Sequence, residues 1–271
     1  MNTATIPTTS PVQVAPDAFL IPNLADGGDG VYVPVNSLLI RGREPIVVDT
    51  GAPVHRQQWL DKVYGLVEPE DIRWVFLSHE DGDHTGGLVD VLTAAPNATL
   101  VLNMFGTERL ALERPVDMQR LMWRDPGETF DAGDRTLRLF LPPIFDGPAT
   151  RGVIDERTGV MWAVDSFAAL TPGAVHHVAD LPPDLYDESF GLFNSMVSPW
   201  HAWLDPVVYG RHVDSVERLA PSVVTTAHGP VLTGDAIGDA FARVRALAGQ
   251  PRAATPGQSL LDELLAAAVA A

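Results

Sequence analysis

Within the six residues His79-Glu80-Asp81-Gly82-Asp83-His84, two imidazoles bracket two carboxylates, and the segment follows the apolar run Arg73-Trp74-Val75-Phe76-Leu77. His79, Asp81 and Asp83 alternate at i, i+2 and i+4. Chain leaving a strand in extended form puts alternate side chains on one side, so His79 and Asp81 share a direction. Asp83 and His84 are adjacent and can diverge towards a second centre. Imidazole and carboxylate are the donors of hard and borderline divalent cations. Crowded this closely, they make a negative field that a bound cation relieves. The plainer alternative is a solvated acidic loop turning at Gly82. Glu80 sits between two ligand positions, and alternation turns it the other way.

Elements that could position these side chains are legible around them. Val31–Pro34, Ser37–Ile40 and Pro45–Asp49 are short β-rich runs divided by turn signals such as Gly27-Gly28-Asp29-Gly30. Trp59, Leu60, Val63 and Leu66 recur at helical spacing over residues 54–66. Further strands are expected at Leu100–Met104, Arg135–Leu141, Gly152–Asp155, Val160–Asp165 and Val223–Ala227. Further helices are expected from Thr85 to about Ala95, from Thr107, over Asp184–Asp205 up to the prolines, and over Val213–Leu219, Ile237–Leu247 and Leu260–Ala270. Residues 1–15 read as a flexible or edge-lying tail, 16–249 as one domain, and 250–271 as a linker and C-terminal helix. That helix is expected to pack on the body of the chain, with a homodimer contact as the alternative.

The chain has 271 residues, 46% of them hydrophobic, enough for a large core in a layered α/β fold. Its net charge is −17, from 35 Asp and Glu against 18 Lys and Arg. Such a polyanion binds nucleic acid and anionic membranes poorly. There is no cysteine, which excludes disulfides, zinc-thiolate sites and thiol nucleophiles. Residues 1–16 lack a basic region followed by an apolar segment, and no run reaches membrane-spanning length. A cytoplasmic protein is therefore expected. No Gly-x-Ser-x-Gly or Ser-x-x-Lys pattern supports a serine nucleophile.

The motif resembles the H-x-[HDE]-x-D-H signature of the metallo-β-lactamase superfamily. Asp49-Thr50-Gly51 resembles that family's early Asp-x-Gly element, and Thr85-Gly86-Gly87 the residues that follow its motif. Asp165 matches its bridging aspartate, and His228-Gly229-Pro230 its last histidine. The resemblance spans Val31 to Leu232 in the expected order. It implies a four-layer αββα sandwich, with two central mixed sheets flanked by helices. Within the superfamily the chain is similar to the diiron domain of flavodiiron proteins and to stand-alone oxygen-binding diiron proteins, which carry a carboxylate where Asp81 stands. That branch usually has Glu at this position. It usually has His where Asp146 stands, and Asp146 is carried over as a ligand.

The resemblance thus implies one metal held by His79, Asp81 and Asp146, and a second by Asp83, His84 and His228, with Asp165 bridging. It also places the helix before His201 near the metals, which makes His201 a candidate catalytic or pocket residue. Four carboxylates nearly balance two divalent ions and favour iron, with manganese or zinc as alternatives. The implied function is binding, reducing or sensing dioxygen or nitric oxide. A separate electron-donor protein is expected, because no flavin domain follows the fold. A metal-dependent hydrolase of an ester, lactone or phosphodiester is the alternative, with Asp83 orienting a hydroxide. A non-catalytic metal-binding sensor is the third reading.

Overall fold

The computed structural model describes residues 6–28 and 30–270. Its strands in chain order are β1 (Val12–Ala15), β2 (Ala18–Ile21), β3 (Leu24–Asp26), β4 (Tyr32–Pro34), β5 (Ser37–Ile40), β6 (Ile46–Val48), β7 (Trp74–Phe76), β8 (Thr99–Leu102), β9 (Leu121–Trp123), β10 (Thr129–Asp131), β11 (Thr136–Phe140), β12 (Gly152–Asp155), β13 (Val160–Trp162), β14 (Val223–Thr225) and β15 (Leu232–Thr233). A seven-stranded sheet runs β1-β2-β5-β6-β7-β8-β9, antiparallel up to β6 and parallel from β6 to β9. A six-stranded sheet runs β10 to β15, with its one parallel pairing between β13 and β14. β3 and β4 pair apart from both.

Strand side chains alternate between faces, and the burial follows. Ile46, Val48 and Phe76 of the first sheet meet Leu137, Leu139, Val160 and Trp162 of the second in one core. The intervening Val47 and Val75 face Trp59 and Val63 of α1 (Arg56–Tyr64), Leu88 and Val91 of α3 (Leu88–Ala94) and Leu110 of α4 (Met104–Glu113), while the short α2 (Gly82–Thr85) precedes α3. Met161 faces Phe190, Val213 and Phe241 on α5 (Pro183–Val197), α6 (Pro206–Glu217) and α7 (Asp235–Ala246). The αββα layering expected from sequence is the one observed. Among the described residues no helix is long and apolar enough to cross a membrane.

The differences from expectation have local causes. Residues 12–15 are the edge strand of the first sheet, and Thr9 is buried with its hydroxyl donating to Pro22 O at 2.6 Å. Of the expected tail, residues 1–5 lie outside the described residues. α6 begins at Pro206 rather than near Val213, because Asp205 caps it by accepting from Val207 N and Val208 N. The C-terminal helix α8 (Gln258–Ala270) forms as expected, but Leu260, Leu261, Leu264 and Leu265 remain 41–56% exposed. The expected packing of this helix on the body is not found.

Two polar anchors hold the layers. Arg135 and Asp155 are both buried and pair at 3.1 Å, and the same guanidinium reaches Asp17 at 3.2 Å in the β1–β2 turn. Lys62, the single lysine of the chain, ties α1 to the N-terminal segment. Its ammonium donates to Thr9 Oγ1 (2.8 Å), Pro22 O (2.6 Å) and Asn23 Oδ1 (2.9 Å), all neutral acceptors. Burial lowers its pKa to about 8.

Arg135→Met is expected to cost about 3–5 kcal/mol in urea unfolding, because it strands the buried Asp155 carboxylate. For Lys62 the folded pKa lies below the unfolded value of 10.5. Its cost to folding is therefore full below about pH 8 and relieved as pH rises through about 10.5. Acylation at Lys62, followed by peptide mass spectrometry, should rise with a midpoint near pH 8, and a midpoint near 10.5 would contradict this.

Candidate metal centre

β7 ends at Phe76, and the chain bends at Ser78 and passes His79 to an extended Asp81 (φ −59°, ψ 150°) before closing into the single turn α2. This path brings His79 Nε2 within 3.7 Å of Asp81 Oδ2. The turn then sends His84 inward, buried, and leaves Asp83 at the rim. Gly86 lets this loop close on the loop after β6. A Cβ there would lie 2.3 Å from Ala52 C and 2.6 Å from Gly51 O, while Gly86 N donates to Gly51 O at 2.7 Å. Only glycine fits a backbone approach this close.

Asp49, fully buried, organises the inner side. Its Oδ1 accepts from Ser78 N (2.7 Å), and its Oδ2 accepts from Ser78 Oγ (2.6 Å), Trp162 Nε1 (2.9 Å) and His84 Nδ1 (2.9 Å). Asp49 and Val164, just beyond the ends of β6 and β13, have φ of +56° and +57°. Such values are strained for these residue types, valine above all, and persist only where the surroundings impose them.

Three imidazoles are held in the same way, each by its Nδ1. That of His84 binds Asp49, that of His228 binds Pro34 O at 2.9 Å, and that of His79 lies 3.1 Å from Ser78 Oγ. All three Nε2 atoms then face Asp165. His79 is 3.5 Å from its Oδ2, while His84 and His228 are 3.4 and 3.3 Å from its Oδ1. His84 Nε2 and Asp165 Oδ1 are buried without any hydrogen-bond partner. Buried polar atoms normally have partners. An orphaned nitrogen facing an orphaned oxygen, with one Nδ1 of the set committed to a carboxylate, fits a metal ion between them.

Potential donor atoms within 4.8 Å of one another fall into three overlapping sets: His79, Asp81 and Asp146; Asp83, His84 and His228; and His79, His84 and Asp165 between them. The first set is open, with Asp81 and Asp146 exposed, whereas the central set is buried. Thr150 Oγ1 donates to Asp146 at 3.0 Å. Asn36, buried, donates to Thr226 O and Gly229 O and so fixes the turn that carries His228. Phe193 stacks over His228 at 5.7 Å.

The charges answer one another. Burial opposes ionisation of Asp165, but His79, His228 and His84 hold it well below the usual carboxylate range. Burial opposes protonation of His228, yet Asp165 and Asp83 push its pKa up to about 10. Burial likewise opposes protonation of His84, and Asp49 with Asp165 raises it well above the ordinary value. Asp83 is lowered against its own burial by His228 and His84. Asp81 is raised, first by burial and then by neighbouring Asp146. A cation at this centre would compete with protons for the nitrogens of His84 and His228.

The seven residues of the expected ligand set lie together in these three sets, but His201 does not join them. It is fully buried in the short turn Pro199–Trp203. Its Nε2 pairs with Ser195 Oγ and its Nδ1 with Leu247 O, each at 2.8 Å. With both ring nitrogens committed, it clamps α5 to the end of α7 and is not the catalytic or pocket residue expected from the sequence. Trp162 and Ser78 were missed by sequence reasoning. Nothing in the strand pattern marks Trp162, whereas a buried polar residue in an apolar run could have marked Asn36.

A family model described as the metallo-beta-lactamase superfamily matches residues 30–184. Among curated relatives, a putative diflavin flavoprotein A 1 of Nostoc sp. is 29% identical over 73% of this chain and 33% of its own length. The type A flavoprotein fprA of Rhodobacter capsulatus is 25% identical over 83% of this chain and 53% of its own. The chain therefore spans about a third to a half of the length of these relatives. Among solved structures, rubredoxin oxygen:oxidoreductase from Desulfovibrio gigas superposes with a TM-score of 0.75 at 15% identity, over 89% of this chain and 62% of that one. A 1–254 fragment of a putative diflavin flavoprotein A 5 from Nostoc sp. superposes with a TM-score of 0.72 at 17% identity, over 88% of this chain and 96% of that one. At such identities these structural likenesses speak to the fold. The matched model covers more than half of the residues, and the chain belongs to the metallo-beta-lactamase superfamily.

Proposed function

We propose that the chain is a dinuclear iron protein of the flavodiiron type, which binds dioxygen or nitric oxide and reduces it when supplied with electrons. His79, Asp81 and Asp146 hold one ion, Asp83, His84 and His228 the other, and Asp165 lies between them. One observation carries this reading. The two oxygens of buried Asp165 face different partners, Oδ2 facing His79 and Oδ1 facing His84 and His228. The flavoprotein names of the curated relatives support it.

An iron pair, when bound, supplies two electrons and neighbouring open positions to one diatomic ligand. The chain's own residues prepare for it. Asp49 and Pro34 O hold the Nδ1 protons of His84 and His228, so that their Nε2 lone pairs point at the centre. Exposed Asp81 and Asp146 leave the first position accessible, while Phe193 covers the second beside His228. Asp83, which would orient the hydroxide of a hydrolase, faces His228 Nε2 at 3.2 Å within the ligand set. Four carboxylates quench Lewis acidity and repel anionic esters, which disfavours hydrolysis and suits a neutral diatomic. Hard oxygen donors favour iron over zinc. A redox partner supplies the electrons, and the net charge of −17 favours one with a basic docking face.

Protein purified without chelator is expected to contain about two irons per chain, with optical bands that respond to oxygen. His79→Ala and His228→Ala should each lose metal in elemental analysis. Zinc in place of iron after iron-supplemented expression, or metal content unchanged in both variants, would refute the reading. Asp49→Asn should weaken metal binding about 10–100-fold by freeing the His84 ring, as read by competition with a chelator of known affinity.

A further inference from the structure

Glu80 is the residue of the motif without a place in the ligand set. It is nonetheless only 12% exposed, and its Oε2 is buried without a hydrogen-bond partner. Its Oε1 accepts from Arg109 Nη1 on α4. Glu80 adjoins Asp81 in the chain, and Asp146 and Asp81 act with it on the charge of Arg109. The same Arg109 guanidinium extends over the turn after Asp146, where the Cβ position of Gly147 is 3.3 Å from Nη1. At its N-terminus α4 is capped by Asn103, whose Nδ2 donates to Pro148 O (3.1 Å) and Ala149 O (3.3 Å) of the same loop. α4 therefore grips both loops of the exposed position: the one carrying His79 and Asp81, and the one carrying Asp146.

We propose that Arg109 is a positioning residue that, through Glu80 and the Gly147 turn, aligns Asp81 with Asp146 for the first metal position. This rests on the paired-metal reading above. The sign of its effect separates it from a simple charge effect. Removing a cation beside Glu80, Asp81 and Asp146 strengthens the field on a divalent ion and should tighten binding. Removing a clamp leaves two exposed carboxylates to lose alignment and should weaken binding at that position alone. The second position, built on buried His84 and on His228, does not touch Arg109.

The test is titration of the full chain with cobalt(II), followed by its visible bands. Wild type should take up about two equivalents. In Arg109→Ala the first equivalent should bind as in wild type and the second about 10–100-fold more weakly. Glu80→Gln, which opens the pair from the other side, should give the same split, and Arg109→Lys should recover most of the loss. Arg109 is half exposed, so these variants should fold, with circular dichroism as the control. Binding of both equivalents as tightly as in wild type, or more tightly, would overturn the proposal, as would equal loss of both in a folded protein. Wild type that takes up no cobalt would refute the paired-metal reading itself, and the clamp with it.

Discussion

A carboxylate buried among hydrogen-bond donors from both sheets is the point on which this molecule is organised. Asp49 lies just beyond β6 of the first sheet, yet Trp162 of the second sheet donates to it, as do Ser78 and His84. Asp49 has no guanidinium or ammonium beside it in these contacts, so the carboxyl group is met by hydrogen bonds and by the His84 ring. Removing a donor would leave a buried polar group under-satisfied, which couples the spacing of the sheets to the orientation of the loop at 79–84. The left-handed backbone at Asp49 and Val164 shows the same constraint in another form.

From that hub the centre grades from rigid to open. Towards Asp165 every donor atom is buried and each imidazole is pinned from behind. Towards Asp81 and Asp146 the donors are carboxylates in contact with solvent, and their alignment depends on neighbouring loops rather than on the core. Buried imidazoles on one side of Asp165 and exposed carboxylates on the other give the candidate centre two sides that differ in access. The charge follows the same gradient, with imidazoles offsetting carboxylates inside and α4 contributing Arg109 at the rim.

Much of this was legible beforehand because two periodicities were clean. Ile46, Val48 and Trp162 face one core while Val47 and Met161 face others, and a period of two in apolar residues cannot be satisfied by a helix. The helix over residues 54–66 and the strand over 135–141 were readable for the same reason. Other features were not. An edge strand at 12–15, only four residues long and flanked by Pro11 and Pro16, is too short to announce itself. α6 begins at a proline that reads as a breaker until the Asp205 cap is seen. The leucines of α8 carry a packing signal but no partner's address.

His201 marks the boundary best. A histidine after a helix looks the same along the chain whether its nitrogens meet a ligand or, as here, Ser195 and Leu247 O. The sequence by itself determined the inventory: which donors exist, their spacing in the loop at 79–84, the layered fold and its family. Only the tertiary structure decided that donors up to 149 residues apart share one volume, which nitrogen of each ring is free, and what turns Glu80 aside. The reason is physical. Residue type and local periodicity act over a few bonds, whereas convergence on Asp165 is set by strand pairing, by the closure at Gly86 and by buried hydrogen bonds between segments far apart in the chain.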